Sequence, residues 1–215
     1  ATIVITVIDD TLDELDESVI LTMGAPTKAT LGAPGAHTVT IADNDLPPVV
    51  AFASASQGAA EATGSMTVTA QLSTISALDV SVAFGLSGTA GNPADYTATV
   101  SPLVIPAGST SAAITLVLVQ DALDEDDETV IATLGAVTNA STASPTVHTA
   151  TITDSDPLPT VNFTAASQTV GEGTGPVTVT AQLSTVSGRP VTVFFALSGS
   201  AANPADYGTS ATPLV

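Results

Sequence analysis

Met66-Thr67-Val68-Thr69-Ala70-Gln71-Leu72-Ser73 alternates apolar and polar side chains without a break. Successive side chains of an extended backbone point to opposite faces. This period of two therefore puts Met66, Val68, Ala70 and Leu72 on one side and Thr67, Thr69, Gln71 and Ser73 on the other, as in a half-buried strand. The same period recurs at Val80, Val82, Phe84 and Leu86, at Ile114, Leu116 and Leu118, at Val130, Ala132 and Leu134, and at Ala150 and Ile152. With a first strand from Val49 to Ser56 and a short one after Tyr96, this makes about seven strands in roughly a hundred residues. No segment has a helical period, so the fold class is all-β, an antiparallel β-sandwich.

The unit is repeated at an offset of 111 residues. Ala70-Gln71-Leu72-Ser73-Thr74 returns as Ala181-Gln182-Leu183-Ser184-Thr185, and Asn92-Pro93-Ala94-Asp95-Tyr96 as Asn203-Pro204-Ala205-Asp206-Tyr207. The acidic run Asp9-Asp10-Thr11-Leu12-Asp13-Glu14-Leu15-Asp16-Glu17 aligns in the same way with Gln120 to Glu128, and Asp43-Asn44-Asp45 with Asp154-Ser155-Asp156. Fixed-period similarity marks a tandem array. The breaks fall at Leu46-Pro47-Pro48 and Pro157-Leu158-Pro159, stiff joints that cannot extend a strand ladder. Residues 47–156 thus read as one complete repeat, 1–46 as the C-terminal part of a repeat before it, and 157–215 as the N-terminal part of one after it.

Charge removes whole classes of function. Twenty-one acidic residues face only Lys28 and Arg189, a formal charge of -19, whereas nucleic acids and anionic membranes require a basic footprint. No run approaches the ~18 apolar residues of a spanning helix, and no signal-peptide pattern opens the chain, so any targeting signal is expected outside these residues. Cysteine is absent and says nothing about compartment. Small aliphatic residues dominate the 44% hydrophobic content, with only 3% aromatics, so the cores are expected to be aliphatic.

If the strands run alternately up and down, the first, third and fifth connections and the exit of the last strand share one pole. Glu61, Asp95, the run from Asp121 to Glu128, and Asp154 with Asp156 fall in those four places; of all the acids, only Asp79 lies outside them or their copies. A solvated acidic rim that aids solubility is the competing reading. So many uncompensated carboxylates would repel one another without a bound cation. Hard oxygen donors without thiols favour Ca²⁺ over Mg²⁺ or Zn²⁺. An EF-hand does not fit, because Leu123 and Asp126 stand where a ligand and a glycine are needed.

Val7-Ile8-Asp9-Asp10 with Glu14 and Asp16-Glu17, Ser87-Gly88-Thr89-Ala90, Asp95-Tyr96-Thr97, Ile105-Pro106-Ala107-Gly108 and Thr40-Ile41-Ala42-Asp43-Asn44-Asp45 together resemble the Calx-beta domain. This is an immunoglobulin-like calcium-binding repeat of sodium/calcium exchangers and large bacterial surface proteins, and the likeness covers essentially the whole chain. It implies tandem immunoglobulin-like sandwiches with calcium ligands Glu61, Asp95, Asp121, Glu125, Glu128, Asp154 and Asp156 in the complete repeat. In the leading part it implies Asp9, Asp10, Glu14, Glu17, Asp43 and Asp45, and in the trailing part Glu172 and Asp206. Gln120 departs from the pattern, since the equivalent position holds Asp9, and a neutral amide there is expected to weaken one ion.

Other constellations carry no chemistry, and no enzyme activity is expected. His37 and His148 are equivalent by the repeat and read as packed or rim residues; no nucleophile elbow accompanies the many Ser and Thr. Gly171-Glu172-Gly173-Thr174-Gly175 lacks the Lys and helix of a phosphate loop. A glycosidase pair would need an aromatic-lined cleft that five Phe and two Tyr hardly supply. The chain therefore reads as a structural repeat of a large extracellular or cell-surface bacterial protein, an adhesin stalk or fibre whose joints Ca²⁺ stiffens. The alternative is a calcium sensor that changes its interdomain angle. The expected partners are neighbouring repeats, or identical chains joined head-to-tail into a homopolymer by completing each other's part-sandwiches, with no membrane insertion.

Overall fold

The computed structural model describes residues 1–209 and 212–214. Its strands are β1 (Glu17–Thr22), β2 (Ala36–Ile41), β3 (Val49–Phe52), β4 (Ser56–Ala60), β5 (Ser65–Leu72), β6 (Val80–Gly88), β7 (Tyr96–Ala98), β8 (Leu103–Ile105), β9 (Ser111–Leu118), β10 (Glu128–Thr138), β11 (Ser141–Thr142), β12 (Val147–Thr153), β13 (Val161–Phe163) and β14 (Ala181–Leu183). In β5 the side chains of Met66, Val68, Ala70 and Leu72 are buried and those of Thr67 and Gln71 exposed, as period two requires. The all-β immunoglobulin-like architecture expected from the sequence is the one observed.

The middle of the chain forms two facing sheets, ordered β4-β12-β10-β6-β8 and β11-β3-β5-β9-β7. Between them Val50, Val68, Val80, Val82, Ile105, Ile114, Leu116, Val130 and Ala150 are sealed from solvent, with Phe52 and Tyr96 the buried aromatics. At about 25 cal/mol per Å² of apolar surface, this aliphatic layer is the main stabilising term.

One expectation is corrected. The first strand, predicted as one piece from Val49 to Ser56, is two pieces in different sheets: β3 pairs with β5, while β4 pairs with β12. The crossing is made by Ala53-Ser54-Ala55, whose small side chains let the backbone pass between layers. The Ala53 N–H donates to Thr69 O at 2.9 Å, and Ala55 O accepts from the Thr149 N–H at 2.9 Å. Two pairings are thus parallel in a sandwich expected to be wholly antiparallel: β4 with β12, which the crossing allows, and β11 with β3, where the chain between β10 and β12 changes sheets. An edge strand that changes sheets can meet its second partner in the opposite sense without a hairpin.

The repeat holds in the hydrogen-bond register. β1 pairs with β2 through Glu17↔Ile41, and β10 with β12 through Glu128↔Ile152, 111 positions later in both strands. Likewise β13 pairs with β14 through Phe163↔Ala181, as β3 pairs with β5 through Phe52↔Ala70. Among the described residues no helix is long and apolar enough to cross a membrane.

Candidate metal centre

Glu61 follows β4 directly, in a 3-10 turn (Glu61–Thr63) closed by Gly64 in the left-handed conformation. It is buried. Its Oε1 accepts both the backbone N–H of Ser155 at 3.1 Å and the Ser155 hydroxyl at 3.2 Å, so the turn before β5 is tied to the exit of β12. One carboxylate oxygen from each of Glu61, Asp121 and Asp156 comes to within 4.8 Å of the others.

Asp95 is brought in by the connection after β6. Gly88 has φ +130, and a Cβ there would lie 2.1 Å from Thr129 O, so only glycine lets the chain pass so close to the start of β10. Past that point Thr89 and Thr129 exchange bonds, with the Thr129 N–H donating to Thr89 Oγ1 at 2.8 Å. The loop is thereby clipped beside Glu128, and Asp95 closes it by accepting the Gly91 N–H. Glu61, Asp95, Asp121, Glu125, Asp126, Glu128 and Asp154 line one depression, with Val119 and Ile152 beneath.

The electrostatics of this pole are strained in one direction. Burial first, then the hydrogen bond to Asp95 and the charges of Asp95 and Glu125, push Glu128 up to about 7. Burial, with the charges of Asp121, Asp95 and Asp154, raises Glu125. Glu61 is raised by burial and by Asp156, against the opposing bonds from Ser155. Each shift is one a bound cation would relieve. The donor set is entirely carboxylate, with no thiol or imidazole, which fits a hard cation such as Ca²⁺.

The leading part repeats the pattern. Burial and then the charges of Glu17, Asp10, Asp43 and Asp45 raise Glu14; burial and then Asp43, Asp10, Asp9 and Asp13 raise Asp45. Among the described residues these acids form no triad as tight as that of Glu61, Asp121 and Asp156. In the trailing part Glu172 lies in the equivalent 3-10 turn and Asp206 accepts the Ala202 N–H at 2.7 Å; both are exposed, and neither joins a carboxylate triad among the described residues.

Several acids in the same runs do other work, which the sequence reading did not separate. Asp127 Oδ1 accepts the Asp154 N–H at 3.2 Å, and Asp16 Oδ1 the Asp43 N–H at 3.1 Å, so both brace the exit strand. Asp13 and Asp124 are buried against Ser76 and Ser187. The hydrogen bond from Arg189 to Asp124 holds that carboxyl below its usual range. Gln120 donates to Asp156 Oδ2 at 3.2 Å and accepts the Ser155 hydroxyl at 3.2 Å; in the leading part Asp9 stands at the position of Gln120 and accepts from Asn44 Nδ2, at the position of Ser155, at 3.1 Å. Asp79 stands apart, accepting the Ala107 N–H at 2.8 Å. His148 is buried edge-on to Phe52, with Nδ1 2.7 Å from Ser54 O, a packed residue as expected.

The Calx-beta domain family profile matches this chain over residues 1–45, 43–157 and 154–215. Among solved structures, the chain is similar to the apo form of the Calx CBD1 domain at 22% identity and TM-score 0.47, over 51% of this chain and 98% of that one. The calcium binding domain CBD12 of CALX1.1 aligns at 22% identity and TM-score 0.47, over 59% of this chain and 54% of that one. A two-domain protein from Bacteroides fragilis aligns at 10% identity and TM-score 0.39, over 54% of this chain and 49% of that one. No curated protein shows significant similarity to the chain.

Proposed function

Since this chain belongs to the Calx-beta domain family, a family of calcium-binding domains, we propose that it is a run of calcium-binding structural repeats from an extracellular protein. The carrying observation is the triad of carboxylate oxygens from Glu61, Asp121 and Asp156, within 4.8 Å of one another. Arg189 binds Asp124 and Asp126 of this acidic loop and makes no ion pair with the triad. In the complete repeat Glu61, Asp95, Asp121, Glu125, Glu128, Asp154 and Asp156 would hold the ion or ions. Asp9, Asp10, Glu14, Glu17, Asp43 and Asp45 would do so in the leading part, and Glu172 and Asp206 in the trailing one.

Bound calcium would supply positive charge where several carboxylates are drawn together, and its binding energy would add to folding stability because only the folded chain gathers the ligands. The acids stand beside the Pro47-Pro48 and Pro157-Leu158-Pro159 joints, so occupancy would stiffen the acidic pole of each repeat from which the joint departs. Such an array suits a stalk or a surface fibre. Calorimetric titration of the metal-free chain with Ca²⁺ tests the reading: affinity of about 10⁻⁴ to 10⁻³ M is expected for an extracellular stabiliser, whereas a steep micromolar response would favour a sensor. No heat of binding, together with a melting temperature unmoved by chelator, would reject both.

A further inference from the structure

The acidic loops do a second job at the joints. Asp13 is 5% exposed and Ser76 1%, and they belong to different repeats. The Ser76 hydroxyl donates to Asp13 Oδ2 at 2.7 Å and accepts the Leu78 N–H at 3.1 Å, while the Ala77 N–H donates to Asp13 O at 3.0 Å. One period later the Ser187 hydroxyl donates to Asp124 Oδ2 at 2.9 Å and accepts the Arg189 N–H at 3.2 Å, and the Gly188 N–H donates to Asp124 O at 2.9 Å. Asp124 is 2% exposed. Both contacts span 63 positions, across both Pro-containing joints.

We propose that this Asp–Ser contact is the fixed orienting joint of the array, a receptor on each repeat for the acidic loop of the repeat before it, and that it holds without metal. The receptor's chemistry is specific. A serine hydroxyl already accepting a backbone N–H has its proton free for one acceptor, and the next backbone N–H points the same way, so together they grip a carboxylate and the carbonyl of the same residue. The partner it fits is an Asp in extended backbone. A buried carboxylate is costly without such donors, which makes a misdocked joint unfavourable as well as a docked one favourable.

In the second joint both oxygens of the carboxylate are held. Arg189 Nε lies 3.3 Å from Asp124 Oδ2, Arg189 Nη2 bonds Oδ1, and Nη1 reaches Asp126 Oδ1 at 3.2 Å. An ion could recruit Asp124 only by breaking these bonds, so Asp124 is a positioning residue for the joint and not a ligand, and Asp13, held by Ser76, takes the same place in the first joint. The fit is close: a Cβ on Gly188 would lie 2.8 Å from Glu125 Cγ. The first joint has Ala77 and Leu78 at the positions of Gly188 and Arg189, and is held by the serine and the backbone alone.

This inference rests on the reading of the chain as a structural array, and the experiment separates the two. The chain has no native cysteine, so spin labels at Ser111→Cys and Gln182→Cys, both exposed, report the second joint in the full chain. The parent should give one narrow distance distribution in chelator and in excess Ca²⁺ alike. Asp124→Ala and, from the other side, Ser187→Ala should broaden it in both conditions. The Gly188 amide should then exchange at least about tenfold faster, the factor for each ordinary hydrogen bond lost, while Asp124→Asn, which keeps an acceptor for Ser187, should restore much of the order. A parent that is broad in chelator, or variants as narrow as the parent, would overturn the proposal. Failure of Ca²⁺ to bind a parent with a narrow distribution would remove the calcium reading and leave the joint standing.

Discussion

Glu61 Oε1 receives both the backbone N–H and the hydroxyl of Ser155, at 3.1 and 3.2 Å, although the two residues lie 94 positions apart. The first connection of the sandwich and its last exit are therefore held to one point, and Asp156 is carried there with Ser155. The serine hydroxyl orients a ligand without needing to touch the ion. Ser155→Ala should weaken Ca²⁺ binding about tenfold, in the range usual for residues that orient a ligand, and Glu61→Gln should weaken it further by removing a charge. Titration calorimetry on both variants checks the order; Ser155→Ala binding as tightly as the parent would count against the orienting role.

Glu128 links the site to pH. Its pKa is raised from 4.5 to about 7, so the folded, metal-free chain holds this proton more tightly than the unfolded one. The stability this contributes is fully present below about pH 4.5 and is lost as pH rises through about 7. Glu125 and Glu61, raised in the same sense, add to the trend. In chelator the melting temperature of the complete repeat should therefore fall between about pH 5 and 8, and in excess Ca²⁺ it should rise over the same interval, because protons and the ion compete for one set of oxygens. Glu128→Gln should flatten the chelator curve. Thermal melts across that range, with and without calcium, decide it.

Much of this was legible in the chain, for reasons that also mark where legibility ends. Alternation from Met66 to Leu72 translates directly into burial, and the 111-residue offset carries over into strand register. The convergence of Glu61, Asp95, Asp121 and Asp154 needed only the up-and-down parity of the strands. The sheet change at Ala53-Ser54-Ala55 leaves no periodic signal, since small residues suit either layer. Asp13 and Asp124 could not be told from Glu14 and Glu125, because composition does not say which way a loop side chain turns. The available clue was the equal spacing of Asp13 from Ser76 and Asp124 from Ser187, which becomes meaningful only once the acidic loop of one repeat is known to meet the repeat after it.

Gly88 makes the geometry of the Asp95 loop conditional on one hydrogen atom. With φ +130 and Thr129 O only 2.1 Å from a would-be Cβ, Gly88→Ala must shift either the loop or the start of β10. A loss of about 2–4 kcal/mol is expected, which lowers the melting temperature of a domain this size by about 10 °C or more. The shift should also separate Asp95 from Glu128, so calcium should protect the variant less than the parent. Gly173, with open space around its Cβ position, serves as the control, and Gly173→Ala should melt close to the parent.

Gln120 stands where the leading part has Asp9, and its amide donates to Asp156 Oδ2 at 3.2 Å, neutralising none of the charge but satisfying one of the acceptors. Gln120→Asp would replace a donor with a further carboxylate beside Asp156, Glu61 and Asp121. In chelator the added repulsion has nothing to offset it, so the variant should melt below the parent. In excess Ca²⁺ the new oxygens join a site whose affinity grows with ligand charge, so the variant should bind more tightly, and calcium should raise its melting temperature by more than it raises that of the parent. Opposite shifts in the two conditions are what a cation site requires. A solvated acidic rim would give a loss in chelator and no gain in calcium, and paired melts of parent and variant in the two buffers distinguish these outcomes directly.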